Sequence, residues 1–174
     1  MDKKIELNID ESNKIEEVIN SFLIKGVTDN PSKFIAIIGP IASGKTTYRR
    51  ETYPEDYVLI DSGELFDAFN GDKDNDPERK SEYLMVTGIE LVKRSISEKK
   101  NIMIEVNIDT DEKRKQLQNI TDRMESLGYE IKIEVIDCDL EQCKERNLKG
   151  RDNVSSYYST DETLHYFDIY FFNQ

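Results

Sequence analysis

Residues 39–47 read GPIASGKTT and directly follow the apolar run Phe34-Ile35-Ala36-Ile37-Ile38. A β-rich run, then Gly39-x-x-x-x-Gly44-Lys45-Thr46, then the helix-compatible TTYRRE is the order of a phosphate-binding loop between a strand and a helix. Each residue type has a physical task. The glycines reach backbone conformations closed to residues with a Cβ, so successive N–H groups can turn inward toward a phosphate. The helix that follows adds its positive N-terminus. Lys45 is expected to reach the β- and γ-phosphates of ATP, and the Thr46 hydroxyl to ligate Mg²⁺. Gly39, Ala42, Ser43, Gly44, Lys45, Thr46 and Thr47 are therefore the expected nucleotide-binding residues.

The remaining pattern has to supply a sheet around that loop. Runs at 57–61 (YVLID), 101–108 (NIMIEVNI) and 131–137 (IKIEVID) read as further strands. Between them lie helical patterns. Met85, Ile89, Val92 and Ile96 share one face of a helix over 78–99, and Leu117, Ile120, Met124 and Leu127 share one face of another. In the second, Asp109 and Glu112 are spaced as a capping box and Gly128 as a terminator. Such alternation predicts a three-layer α/β/α domain with a four- or five-stranded parallel sheet, covered by helices on both faces. Ligands then gather beyond the carboxyl ends of the strands.

Ahead of the sheet, Ile15, Val18, Ile19, Phe22 and Leu23 outline an amphipathic helix, with Asn13 and Glu16 spaced as its capping box. Residues 1–30 are read as a helical extension packed on a core domain of residues 31–174. The acidic stretch NGDKDNDPERK lacks the Gly and closing Glu of a calcium loop, and is expected to be a solvated loop.

Charge narrows the partners. The 24 Lys and Arg stand against 36 Asp and Glu, a net charge of -12, which repels nucleic acid at long range and favours a small acceptor. No apolar run approaches the ~20 residues that span a bilayer, so no membrane role is expected. Cys138 and Cys143, with the single His165, make neither a disulfide framework nor a zinc constellation. They are expected to be reduced thiols of a cytoplasmic protein.

Three kinds of phosphate-loop protein compete. A guanine-reading N-K-x-D is absent, since the fourth strand ends Ile136-Asp137-Cys138-Asp139. A motor or AAA-type ATPase needs a larger core and usually an acidic pair, whereas the third strand ends Ile104-Glu105-Val106-Asn107. A small kinase needs a cradle, a metal, a group to orient the acceptor hydroxyl, and cations for the migrating charge. Glu105 is able to hold Mg²⁺ through water. The stretch CKERNLKGRDN brings Lys144, Arg146, Lys149 and Arg151 onto a helix that can close as a lid around 143–155. Its bland alternative is an exposed basic face paired with Glu141 or Glu145.

From IEVNIDTDEKRKQLQNI through DCDLEQCKERNLKGRDNV, the chain resembles half of the bacteriophage polynucleotide 5′-kinase domain. The zeta-toxin-like kinases, which phosphorylate nucleotide-sugars, share the plan. The resemblance covers roughly residues 33–170. It implies that Glu105 and Asn107 face the acceptor and that Arg146 and Arg151 are lid arginines, although Arg151 is displaced by one position and Gly150 stands where the second arginine falls. The resemblance also places a general-base Asp where this chain has Gly63, within Ile60-Asp61-Ser62-Gly63-Glu64. Asp61 or Glu64 is able to substitute, Asp61 first because it sits at the strand's carboxyl end. Alternatively, Asp61 caps the helix GELFDAF.

The expected activity is ATP- and Mg²⁺-dependent phosphoryl transfer to a hydroxyl of a nucleotide, a sugar-nucleotide or a nucleic-acid 5′ end. The alternatives are an ATP-binding module with a regulatory or toxin-like role, and plain hydrolysis. Aromatics in SSYYSTDETLHYFDIYFF either stack a base or pack a terminal helix on the core.

Overall fold

A four-stranded sheet, wholly parallel, forms the frame of the computed structural model, which describes residues 6–69, 77–139, 141–145 and 162–172. Chain order is α1 (Ile9–Leu23), β1 (Lys33–Gly39), α2 (Lys45–Thr52), β2 (Val58–Ile60), α3 (Ser62–Ala68), α4 (Pro77–Ser97), β3 (Ile102–Asn107), α5 (Asp111–Ser126) and β4 (Glu130–Val135). A short helical segment at 141–145 and a last helix α6 (Thr163–Phe172) follow. Spatial order is β2-β3-β1-β4, so β1 is central, and the loop that leaves it opens where the strands end. Gly39 lies level with Asn107 on β3.

The two faces of the sheet are covered unequally. Phe34 and Ala36 of β1, Ile60 of β2, and Ile102, Ile104 and Val106 of β3 join α1, α3, α4, α5 and α6 in the main core. The other face buries only Ile35, Ile37 and Met103, against Tyr48, Tyr53, Tyr57, Leu59 and Ile136. Among the described residues, the expectation of helices on both faces therefore holds for the second face only through α2, which brings Tyr48, with Tyr53 and Tyr57 from the chain that follows it.

Local signals fix the helix ends, not always where spacing put them. The capping box of α1 is Asn8 with Glu11, each side chain bonding the other's backbone N–H at 2.9 and 2.8 Å, five residues before the expected pair. Asn13 and Glu16 fall inside the helix, and Glu16 takes the Arg94 guanidinium of α4 in two bonds of 2.6 and 2.8 Å. On α5 the cap is Thr110, which accepts from the Lys113 N–H, rather than Asp109. A threonine Oγ in extended backbone reaches the N3 amide directly. Gly128 closes that helix at φ 88, whereas Leu127 stays 38% exposed instead of joining the buried face.

The C-terminal aromatics pack. Tyr166 and Phe167 are fully buried, and the Phe167 ring meets Phe34 edge-on with centroids 5.6 Å apart. Gly88 of α4 lies directly under the Tyr166 ring, where a Cβ would collide with it. His165 is exposed on the same helix.

Cys138 and Cys143 are joined in a disulfide with Cα atoms 6.3 Å apart, which corrects the expectation of two reduced thiols. The chain turns back after β4 and buries Cys143 beside its partner. No described helix is long and apolar enough to cross a membrane.

Candidate phosphate-binding and acceptor site

The loop after β1 has the shape its glycines predict. Gly44 takes φ 95 and serves as the N-cap of α2 without a capping side chain, and Ala42 takes φ 58. These left-handed residues turn the amides of the loop toward one side, a concavity suited to an anion. Gly39 is needed for a different reason. A Cβ there would stand 2.6 Å from the Ile136 carbonyl oxygen and 2.8 Å from Ser43 Oγ. The loop borders an open cleft of about 630 Å³ lined by Ala42, Ser43, Gly44, Lys45, Thr46, Thr47, Tyr48 and Glu51. All the expected nucleotide-binding residues except Gly39 thus line one space, and Gly39 forms its rear support.

Lys45 is buried at 9% exposure, and its ammonium turns back over the loop. Nζ donates to the carbonyls of Gly39 at 3.2 Å and Pro40 at 2.7 Å, and to Ser43 Oγ at 3.5 Å. It also donates to Asn107 Oδ1 at 2.6 Å. Register puts that partner in place, because β1 and β3 run in parallel with Gly39 opposite Asn107. The strand-end asparagine therefore holds the loop lysine.

Beside this pair lies an acid-centred chain. The Thr46 hydroxyl donates to Glu105 Oε2 at 2.7 Å. Arg49 Nε donates to Glu105 Oε1, and its other end reaches Glu64 Oε1 at 3.2 Å. Arg50 approaches the same Glu64 oxygen at 3.6 Å. Glu105 is 8% exposed, so its charge is kept in the interior by Arg49 and the threonine hydroxyl together. The structure thus brings Glu105 to Thr46, as metal binding through water requires, and engages Glu64 with arginines.

Asp61 is the N-cap of α3. In extended backbone at φ -141 it accepts from the Glu64 N–H at 2.8 Å, so the capping alternative describes its placement. The next residue, Ser62, donates its N–H to Thr163 Oγ1 at 3.1 Å and ties the turn to the start of α6. Burial pushes the Tyr166 hydroxyl well above the usual tyrosine range, with the charges of Glu162 and Asp61 adding to the rise.

Of the basic cluster, Lys144 is exposed and pairs with Glu141 at 3.8 Å, the bland alternative for that residue. Arg146, Lys149 and Arg151 lie outside the described residues, as do residues 70–76 of the acidic stretch 70–80. Sequence reasoning missed Arg49, which links Glu105 to Glu64. The signal was present: Arg49 follows Lys45 by four residues and so shares its face of α2. A crevice of about 180 Å³ continues past Arg49 and Glu64, lined also by Lys25, Arg50, Tyr53 and Tyr57.

No curated protein matches this sequence. Among solved structures, the fold resembles a chain from the study of the PezAT chromosomal toxin–antitoxin system of Streptococcus pneumoniae, with a TM-score of 0.64 and 18% identity. The similarity covers 86% of this chain and 65% of that one, so this chain spans under two thirds of its neighbour's length. Residues 34–164 match the AAA domain family. With residues 34–39 of β1, the phosphate loop and Glu105 all inside the matched span, the chain belongs to the AAA domain family and is a P-loop, kinase-like, nucleotide-binding protein.

Proposed function

We propose that the protein transfers a phosphoryl group from Mg²⁺-ATP to a hydroxyl of a nucleotide, a sugar-nucleotide or a nucleic-acid 5′ end. The observation that carries this reading is the pair of contacts from β3 to the loop, Asn107 to Lys45 and Glu105 to Thr46. They bring the last residues of β3 against Lys45 and Thr46 in the first turn of α2, just after the glycine loop.

The residues present fit the nucleotide and the metal. The left-handed turns at Ala42 and Gly44 form an amide concavity, and Gly39 leaves no room for a Cβ. Among the described residues, no group of three or more His, Cys, Asp or Glu forms a metal cage. A Thr hydroxyl with one carboxylate suits Mg²⁺, which keeps several waters and takes further ligands from phosphates. Thr46 would hold it directly and Glu105 through water, and when bound it supplies neutralisation of the phosphate charge. Lys45 exchanges its loop acceptors for phosphate oxygens. Arg49 fixes the Glu105 carboxylate, which in turn orients the Thr46 hydroxyl.

Asp61 lies at the carboxyl end of β2, where it can accept a proton from the acceptor hydroxyl while Oδ1 holds the α3 amide. Arg146 and Arg151 would close over the migrating charge. Lys25, Arg50 and the Tyr53 and Tyr57 rings beside Glu64 suit an acceptor that carries both a phosphate and an aromatic base.

Asp61 as a helix cap, with Gly63 at the expected base position, favours a second reading: an ATP-binding module that changes shape without transfer. Incubation with γ-labelled ATP and a panel of nucleosides, nucleotide-sugars and 5′-hydroxyl oligonucleotides separates the two. Label on any acceptor, lost in Lys45→Ala, supports transfer. Tight ATP binding with no labelled acceptor refutes it, and phosphate release without acceptor shows hydrolysis instead.

A further inference from the structure

β4 ends the sheet, and among the described residues no strand pairs with its outer edge. Its apolar side chains are unusually open for a strand in a parallel sheet, with Ile133 44% and Val135 62% exposed. The Glu130 N–H bonds to Ser32 O and the Ile136 N–H to Ile38 O, each at 2.8 Å. Even-numbered residues therefore turn their amides toward β1. Backbone polarity alternates along a strand, so Ile131, Ile133 and Val135 turn theirs outward.

The side chains alternate too. Ile131, Ile133 and Val135 lie level with Phe34, Ala36 and Ile38 on the main-core side. Lys132 and Glu134 occupy the other side, 2.7 Å apart and capped by the Tyr53 hydroxyl. The order Ile-Lys-Ile-Glu-Val is thus self-complementary when read against itself in reverse.

From this pattern we infer that the outer edge of β4 is a docking surface for a second copy of this chain, joined antiparallel about a two-fold axis at Ile133. In that register Ile133 opposes Ile133, and Ile131 opposes Val135 twice, with all outward-facing amides meeting outward-facing amides. Lys132 opposes Glu134 of the second copy at two symmetry-related points, and these are non-hydrogen-bonded pairs, whose side chains approach most closely.

Charge excludes the neighbouring registers. Moving the axis to Lys132 sets Lys132 against itself and Glu130 against Glu134, and moving it to Glu134 sets that glutamate against itself. Intermediate shifts place outward amides against inward ones and make no ladder. The contact closes on itself and stops at two copies. It continues the sheet to eight strands, β2-β3-β1-β4-β4-β1-β3-β2, with the two phosphate loops at opposite ends. Edge pairing also removes an aggregation liability.

The test is sedimentation velocity over roughly 5–500 µM, the range in which a small interface associates. Each copy carries a net charge of -12. Salt near 0.15 M is therefore used, where the screening length is about 8 Å. Wild type is expected to dimerise with concentration. Lys132→Glu and Glu134→Lys, each verified as folded by circular dichroism, are expected to remain monomeric alone, because each meets itself with like charges. Mixed one to one, they are expected to form a heterodimer, since every cross-strand point then joins opposite charges. A monomeric wild type across the range overturns the inference. So does self-association of either variant at wild-type strength, or a mixture of folded variants that stays monomeric.

Discussion

Replacing Glu105 with Gln tests the centre of the site with almost no change of volume. The amide oxygen can still accept from Thr46, so the geometry around that hydroxyl survives. What is lost is the negative charge facing Arg49, in a pair whose side chains are only 13% and 7% exposed. A hydrogen bond between charged groups contributes about 1.5–3 kcal/mol, and an uncompensated buried charge costs more. Arg49 keeps Glu64 at 3.2 Å, which offsets part of the loss. The net destabilisation should be about 1.5 kcal/mol, a fall in Tm of about 3–6 °C for a domain of this length. Differential scanning calorimetry at pH 7 measures it. In parallel, an acid that acts through water should weaken Mg²⁺ binding about 10–100-fold when neutralised, with little effect on ATP binding in EDTA. A Tm within about 1 °C of wild type, together with an unmoved Mg²⁺ titration, would refute the roles given to Glu105 and Arg49.

Three further outcomes are expected. Asp61→Asn retains a good N-cap, so stability should change by a few tenths of a kcal/mol while transfer to acceptor falls by about 10²-fold or more; unchanged transfer in single-turnover assays removes Asp61 from the chemistry. Gly88→Ala pushes a methyl into the buried Tyr166 ring and should cost about 1–3 kcal/mol in urea unfolding. Its effect should be smaller in combination with Tyr166→Leu, and additivity of the two would be evidence against the clash. The Glu16 carboxyl is held below its usual range chiefly by the hydrogen bond from Arg94. With side chains 49% and 30% exposed, the pair contributes no more than about 0.5–1 kcal/mol after solvent screening. Because the folded pKa is lowered, this stability is present above the ordinary glutamate value of about 4.3 and disappears as pH falls through the lowered one. The gap between wild type and Glu16→Gln in denaturant midpoints should therefore be open at pH 7 and closed in strong acid.

Sheet and loop were legible because their signals are local. A strand abutting Gly-x-x-x-x-Gly-Lys-Thr fixes its own geometry, and the buried β3 reads as a nearly continuous apolar run. The partners of Lys45 and Thr46 were less visible, since Asn107 and Glu105 reach them only through the parallel register of β1 with β3. The caps show the limit of spacing. Asn8 and Thr110, not Asn13 and Asp109, have the extended backbone and the oxygen within reach of the N3 amide, and spacing alone does not show which candidate does. Asp61 illustrates a deeper ambiguity. A carboxylate at a strand's end is equally suited to cap the next helix or to meet an acceptor, and the residue type alone does not separate those duties.

The Lys45 ammonium already has oxygen acceptors between 2.6 and 3.5 Å away, supplied by its own loop and by Asn107. Under the proposed reading, phosphate recognition is therefore a ligand exchange at a buried cation, not the filling of an unmet charge. An ATP affinity would then report the difference between two sets of oxygens, of which Asn107 Oδ1 at 2.6 Å is the nearest of the present set.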